Sequence, residues 1–235
     1  MKRIIGLTIL SFILILLCCT STPPSESGEN DENRVVFGTY EQDNDLTNGA
    51  EPIEWIVLER EENGSMLLIA RLGLDCMQYH EKQAEVTWET CSLRSWLNEE
   101  FYNTAFTEEE KKQILVTTVP NKGRNVYGID GGSDTEDRVY LLSAEEASGL
   151  FDSDEARQAM ATKYAIRRGV RVIEEPEDSV HVKGTAMWWL RGPGYTQDSA
   201  ANVMSWGYVI DTGQVVNKHN VALRPVIRIR DLGKE

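Results

Sequence analysis

Val221-Ala222-Leu223-Arg224-Pro225-Val226-Ile227-Arg228-Ile229-Arg230 closes the folded part of the chain. Val221, Leu223, Ile227 and Ile229 alternate with Arg224, Arg228 and Arg230, a period of two that predicts a strand with one apolar face. The neighbouring stretches read the same way. Met187 to Arg191 is apolar and aromatic, and Gly192-Pro193-Gly194 ends it sharply. Asn202 to Ile210 is expected to be a strand, Asp211 to Gln214 its turn and Val215-Val216 the return. At the other end, Val35 to Tyr40 opens as a strand. Ile53 to Leu58 and Met66 to Ala70 flank the polar Glu61-Glu62-Asn63-Gly64-Ser65, a hairpin with a loop longer than two residues.

Between these ends the period changes. Leu93, Trp96, Leu97 and Phe101 fall on one helical face, with Ser92 as the expected N-cap. Thr107-Glu108-Glu109-Glu110 and Ser143-Ala144-Glu145-Glu146 both carry capping-box spacing and open short helices, the first through Leu115. Asp154 to Tyr164 is read as helical, Val139 to Leu142 as a short strand and 121–137 as loop. Strands early, helices in the middle and strands late indicate an α+β fold, with antiparallel strands at both ends of the domain and central helices.

The first residues carry an address. Met1-Lys2-Arg3 is basic, and Ile4 to Leu17 is apolar apart from Gly6, Thr8 and Ser11. As a helix this run reaches ~21 Å, short of a ~30 Å hydrocarbon core. It therefore reads as a signal peptide over residues 1–19. Leu16-Leu17-Cys18-Cys19-Thr20 resembles a lipoprotein processing site, with Cys19 as the lipidated residue. Residues 20–34 are dominated by Thr, Ser, Pro, Glu, Asn and Asp and form a tether. Residues 35–232 then make a single globular domain. Such a chain is exported and held at the outer face of a membrane, or secreted.

The net charge is −14, and loss of Lys2 and Arg3 with the leader makes it more acidic. This balance speaks against nucleic acid as a partner, because phosphate binding needs clustered Lys and Arg. The domain retains Cys76 and Cys91. In an exported protein they form either a disulfide or two buried thiols, and the sequence leaves both open.

Catalytic and cofactor signatures are missing: there is no Gly-x-Ser-x-Gly, no phosphate loop and no His-Glu-x-x-His. His80, His181 and His219 lie far apart and read as surface or turn residues. The acidic runs 130–137 and 174–178 have oxygen ligands for calcium, but their Asp and Gly are also what turns require. No metal or cofactor is expected. Trp188-Trp189 reads as core, whereas Trp206 and Tyr208 share a strand face and are the candidate ligand surface. Arg191 and Arg224 sit among apolar residues and need buried partners, for which Asp137 is the candidate. The expectation is a binding module for an unknown glycan, peptide or protein. The alternatives are an enzyme of unrecognised type built from Asp137, Arg191, Arg224 and His219, or a structural envelope component.

Several motifs then occur in fixed order: Phe37-Gly38-Thr39-Tyr40-Glu41-Gln42-Asp43, Glu51-Pro52-Ile53-Glu54-Trp55, Leu74-Asp75-Cys76, Thr87 to Asn98, Asp134-Thr135-Glu136-Asp137, Leu141-Leu142-Ser143, Trp188 to Gly194 and Leu223-Arg224-Pro225. Together they resemble the bacterial domain-of-unknown-function family 6273, from Val35 to Ile229. The Trp-Leu-Arg strand and the terminal Arg-Pro strand are similar to the C-type-lectin-like fold, including its sulfatase-modifying relatives. That resemblance implies a fold and no catalytic residues. Formylglycine generation needs cysteines in the C-terminal half, and the last cysteine here is Cys91.

The anchor is directly testable. Replacing Cys18 and Cys19 together by Ala is expected to release the protein from the membrane fraction or to stop its processing. A double mutant that stays membrane-bound at mature size overturns the lipid anchor.

Overall fold

The computed structural model describes residues 33–124 and 127–230. The expected leader, the expected lipidation site Cys19 and almost all of the expected tether lie outside the described residues. The chain opens with three strands, β1 (Arg34–Tyr40), β2 (Glu51–Arg60) and β3 (Ser65–Ala70), followed by the two-residue β4 (Asp75–Cys76). The first helical block runs through α1 (Ser92–Trp96), a π-helical turn (Leu97–Phe101) and α2 (Tyr102–Ala105). Next come α3 (Glu108–Lys111), β5 (Thr117–Val119), β6 (Thr135–Asp137) and β7 (Val139–Tyr140). Three short helices follow: α4 (Ala144–Gly149), α5 (Asp154–Arg157) and α6 (Lys163–Arg168). The last strands are β8 (Trp188–Pro193), β9 (Ser199–Val203), β10 (Val209–Val215), β11 (Ala222–Leu223) and β12 (Val226–Arg230).

The strands make two five-stranded sheets, in the orders β1-β2-β3-β12-β7 and β10-β9-β8-β11-β4, with β5-β6 as a small third ribbon. All named pairings are antiparallel except β11 with β8. The architecture is thus mixed, with many antiparallel strands and few, short helices. Among the described residues no helix is long and apolar enough to cross a membrane.

The hairpin of β2 and β3 forms as expected, and both capping boxes close. Thr107 and Ser143 accept from the backbone of Glu110 and Glu146, whose carboxylates return to the N-cap backbone. Several boundaries differ from the sequence reading. The helix after Thr107 stops at Lys111, well before Leu115. Ser92 is not a cap, because its hydroxyl accepts from the Glu81 backbone instead. The expected helix over 154–164 is two helices. Gln158 adopts ψ 141° and turns the chain, letting Arg157 point inward to the carbonyls of Gly207 and Ala147.

The stretch Asn202 to Ile210 is two strands rather than one. The chain reverses between β9 and β10, where the Met204 N–H donates to the Tyr208 carbonyl and the Gly207 N–H to the Met204 carbonyl. Gly207 has φ 89°, and a Cβ there would collide with the Asp154 carbonyl. Only glycine meets both demands. Asp211 to Gln214, expected as the turn, lies inside β10 as a bulge.

Trp188 and Trp189 point to opposite faces of β8 and yet both are fully buried. Trp188 donates to the Arg157 carbonyl at 3.2 Å and Trp189 to the Met77 carbonyl at 3.0 Å, as buried indoles require. Both faces of that strand are therefore covered. Cys76 and Cys91 are free thiols, both buried. The Cys76 thiol donates to the His219 carbonyl and the Cys91 thiol to the Trp88 carbonyl. Burial pushes them up to about 11 and about 12, so they are unreactive thiols at neutral pH.

The closing run is also not a single strand. Leu223 ends β11 in the second sheet and Val226 begins β12 in the first, so Arg224-Pro225 carries the chain from one sheet to the other. Pro225 has no N–H to pair and pre-sets the bend. Arg224 is buried at the crossing. Its Nε donates to the Ala70 carbonyl at 2.8 Å and its Nη1 to the Arg157 carbonyl at 3.1 Å. Its guanidinium lies 5.1 Å from the Trp188 ring and 5.4 Å from Phe151. Burial lowers its pKa to about 9, still high enough to keep it charged at neutral pH.

Asp137 does not partner Arg224 or Arg191. It is buried, and accepts from Arg94 Nε at 2.7 Å, Trp88 Nε1 at 2.9 Å and Thr135 Oγ1 at 2.7 Å. It therefore ties β6 to the segment leading into α1. Asn98, one turn beyond Arg94, accepts from the backbone of Arg138 and Val139 and donates to the Val139 carbonyl. These contacts explain why Thr87 to Asn98 and Asp134 to Asp137 act as paired motifs.

Arg224→Ala is expected to lower unfolding free energy by ~3–5 kcal/mol, through a cavity and two unpaired carbonyls. Arg224→Met, of similar volume, should recover part of this. Urea unfolding measures both. A loss under ~1 kcal/mol for the alanine variant would remove Arg224 as the tie between the sheets.

Candidate functional site

Among the described residues lies a cleft of about 750 Å³, within the range of small-ligand sites. Its walls come from separate parts of the chain. β8 supplies Arg191, Gly192 and Pro193, the start of α4 supplies Ser143 to Glu146, and the loop after β5 supplies Pro120 to Lys122 and Arg124. The first sheet adds Leu67, Tyr140 and Arg228, and β9 and β10 add Ala201 and Asp211. The cleft thus lies where the two sheets, α4 and the 120s loop meet.

The lining is apolar between fixed charges. Leu67, Leu142, Leu150, Pro193 and Ala201 contribute carbon surface. Each of the four lining cations is tied to a carboxylate. Arg191 holds Glu146 with both terminal nitrogens, and Arg228 holds Glu61. Arg124 holds Asp211 at 2.9 Å and Lys122 holds Glu145 at 3.0 Å. Arg191 is 3% exposed. Its Nη1 also donates to the Leu141 carbonyl and its Nη2 to the Pro120 carbonyl. The Ser143–Glu146 capping box fixes the carboxylate that Arg191 grips, so one helix cap and one buried ion pair share a side chain.

Burial by itself would raise the Glu146 carboxyl. Hydrogen bonding and the charge of Arg191, with help from Ser143, outweigh it and hold Glu146 below the usual carboxylate range. Burial pushes the Tyr140 phenol in the same wall up to about 12, against the pull of Arg228 and Arg191. It is a neutral hydroxyl at physiological pH.

Two half-exposed aromatic rings follow the lining residues Arg124 and Pro193 closely in the chain. Tyr127 and Tyr195 have centroids 4.9 Å apart, and Arg124 lies 5.1 Å from the Tyr127 ring. A smaller cleft of about 460 Å³ shares Ala144, Glu145 and Asp211 with the first and includes Tyr208, Asp154 and Arg157.

The residues singled out from sequence do not converge. Arg191 lines the main cleft, whereas Asp137 and Arg224 are consumed in the core and His219 is an exposed turn residue. The enzyme constellation built from these four is therefore not assembled. Trp206 and Tyr208 share no strand face. Trp206 lies in the β9–β10 turn against the His181 ring, 5.3 Å between centroids. Tyr208 is 53% exposed and lines the smaller cleft. The acidic runs act as turns: Asp134 accepts from the Asn121 backbone, Asp130 from Gly132, and Asp178 from Val180 and His181. A different trio, Glu41, Asp43 and Glu51, has carboxylate oxygens within 4.8 Å of one another. Glu51 there accepts the backbone N–H groups of Gln42 and Asp43. Tyr127, Tyr195, Glu146 and Arg228 escaped sequence reading; only the capping box around Glu146 left a local signal.

Compared with known proteins, residues 63–230 of the 235 match the family model described as "Domain of unknown function (DUF6273)". The match begins in the β2–β3 turn, so β1 and β2 precede it although they complete the first sheet. No curated protein and no solved structure matches the chain.

The Arg191–Glu146 pair gives a pH signature. A carboxyl depressed in the folded state contributes stability above its unfolded value of 4.5 and loses it as pH falls through the folded value. Glu146→Gln is expected to cost ~1–3 kcal/mol at pH 7, below the figure for a sealed pair because the Glu146 side chain is 35% exposed. Urea midpoints at pH 7 and at about pH 3.5 should show the gap between variant and wild type narrowing in acid. A gap that does not change with pH would mean that the ion pair contributes nothing.

Proposed function

The chain belongs to the DUF6273 family, and from that premise we propose that it is a non-catalytic binding module, whose cleft between the two sheets takes an uncharged glycan segment outside the cell. The observation that carries this reading is the state of the cleft's charges. Each lining cation already has a carboxylate of its own, so an anionic ligand would have to displace one. What is left to a ligand is apolar surface and oriented polar groups, with the exposed Tyr127–Tyr195 pair close in the chain to the lining residues Arg124 and Pro193. That combination suits a sugar, which stacks on a ring and exchanges hydrogen bonds with fixed planar groups. The Tyr127–Tyr195 pair fills the role assigned from sequence to Trp206 and Tyr208.

The finer reading of the fold as C-type-lectin-like rests on the Trp188-Trp189-Leu190-Arg191 strand and the Leu223-Arg224-Pro225 run. Two sheets of mostly antiparallel strands flanked by short helices are compatible with it. The basic start, short apolar run and Cys19 support export and a lipid anchor at the outer face of a bacterial membrane. A protein partner is the second occupant to test, because the two clefts share Ala144, Glu145 and Asp211 as a common wall.

Gly149 and Gly192 line the cleft, and a Cβ built on either meets no heavy atom within 4 Å. Gly149→Trp and Gly192→Trp therefore narrow the cleft while leaving the core packing alone. On a glycan array, wild-type protein is expected to retain a defined set of neutral oligosaccharides. Each tryptophan variant should lose at least about tenfold in affinity, the order expected for one blocked subsite. Binding that survives both substitutions would place the ligand elsewhere. An array with no retained glycan would remove the glycan reading.

A further inference from the structure

The smaller cleft, of about 460 Å³, meets the main one at their common wall and is itself of small-ligand size. Two residues of that wall, Glu145 and Asp211, are exposed. Each is held by a cation that lines the main cleft: Lys122 donates to Glu145 and Arg124 to Asp211. The wall therefore carries two surface ion pairs, and a ligand can cross it without opening the core. One close approach brings the remaining groups together. Gly207 packs so tightly on Asp154 that a Cβ there would overlap the Asp154 carbonyl, and the Gly207 carbonyl accepts from Arg157 Nε at 2.9 Å. Arg157 in turn holds the Asp154 carboxylate. Tyr208 follows directly, its carbonyl fixed by the Met204 N–H at 2.9 Å. It is an exposed lining residue of the smaller cleft, with Asp154, Arg157 and Ser148.

The three carboxylates of this cleft already have their cations, so a charged ligand would have to compete with Lys122, Arg124 or Arg157. Each gives one oxygen to its cation, Glu145 Oε2, Asp154 Oδ1 and Asp211 Oδ2, and keeps the other as an acceptor. Oriented acceptors in charge balance, beside a ring with an apolar face and a polar tip, suit a sugar. Its hydroxyls donate to the oxygens and its C–H face lies on the ring. We propose that the smaller cleft is a second sugar subsite for the same ligand, with Tyr208 as its stacking platform and Glu145 and Asp211 as acceptors at the crossing. The protein then recognises a neutral oligosaccharide long enough to occupy both clefts, in preference to a disaccharide. This rests on the glycan reading of the main cleft. Joining two sugars in one chain makes filling of the second subsite intramolecular, so affinity rises with chain length until both clefts are occupied.

Helix α4 supplies the means of separating the two clefts. Gly149 lines only the main cleft and its neighbour Ser148 only the smaller one, and both are exposed. A tryptophan at either position narrows one cleft and leaves the core alone. Isothermal titration is run on the 235-residue chain with dimers and hexamers of β-1,4-linked glucose, α-1,4-linked glucose and β-1,4-linked N-acetylglucosamine. In at least one series the hexamer should bind at least about tenfold tighter than the dimer, the order expected when a second contact is tethered to the first. Ser148→Trp and Tyr208→Ala should each bring the hexamer down to the dimer's affinity and leave the dimer unchanged. Tyr208→Phe, which keeps the ring face, should keep the hexamer's advantage, and Gly149→Trp should weaken both lengths. Equal affinity of dimer and hexamer in every series that binds overturns the second subsite and leaves the main cleft as the glycan site. A hexamer advantage that survives both Ser148→Trp and Tyr208→Ala places the added sugars elsewhere and overturns it too. Failure of every sugar to bind overturns the subsite and the glycan reading together. The comparison of lengths on the unsubstituted chain decides the matter even where a variant fails to fold.

Discussion

A single buried guanidinium holds the two sheets in register. Arg224 sits where the chain leaves one sheet for the other, and among the described residues it has no carboxylate partner. Its nitrogens instead reach backbone carbonyls at the end of β3 and at the end of α5, and its face lies on Trp188 of the second sheet. A planar cation with several donors and a π-stacking surface can make all of these contacts at once, and lysine cannot. Carbonyls facing the same interior would otherwise be stranded without water. The low count of long helices follows from this design. The helices fill gaps around the sheet junction, and the junction itself is made by strands and side-chain hydrogen bonds.

Two further cation–carboxylate ties divide the work around that junction. Arg94 with Asp137 fixes the small β5-β6 ribbon to the first helical block, and Asn98 clamps the following strand. Arg191 with Glu146 fixes β8 to α4. Both carboxylates are multiply held: Asp137 by an indole and a hydroxyl, Glu146 by the backbone of its own cap. Held on several sides, they leave their arginines little freedom. The cleft is therefore bounded by groups whose positions are set before any ligand arrives, which lowers the cost of ordering on binding.

Much of the fold is legible where the cause is local. The β2–β3 hairpin and the two capping boxes each carry their signal within a few residues. The errors arise where a distant contact overrules that signal. Asn202 to Ile210 alternates well enough for a strand, but Asp154 packs against Gly207 and forces a turn there. Asp154 to Tyr164 has helical composition, but Arg157 is drawn into the core and breaks the helix after one turn. Arg191 and Arg224 stand out as polar residues in apolar strands, but Asp137 was the wrong partner. The right ones are carbonyls and a carboxylate that no spacing links to them. The cleft is the least legible feature, because residues in the 120s, 140s, 190s and 220s meet there only after both sheets exist.

The place of β12 has a consequence for how the molecule is made. It is the last described strand in the chain, and it lies between β3 and β7 in the interior of the first sheet. Until residues 226–230 arrive, β3 and β7 have no common neighbour and the sheet remains in two pieces. The same residues follow directly on Arg224, so the tie between the sheets also waits for them. A ribosome that delivers this chain from its N-terminus therefore handles an incomplete domain until these residues have emerged. Completion then comes as one late step rather than by stages. Late closure of this kind keeps the emerging chain open and threadable until those residues join it.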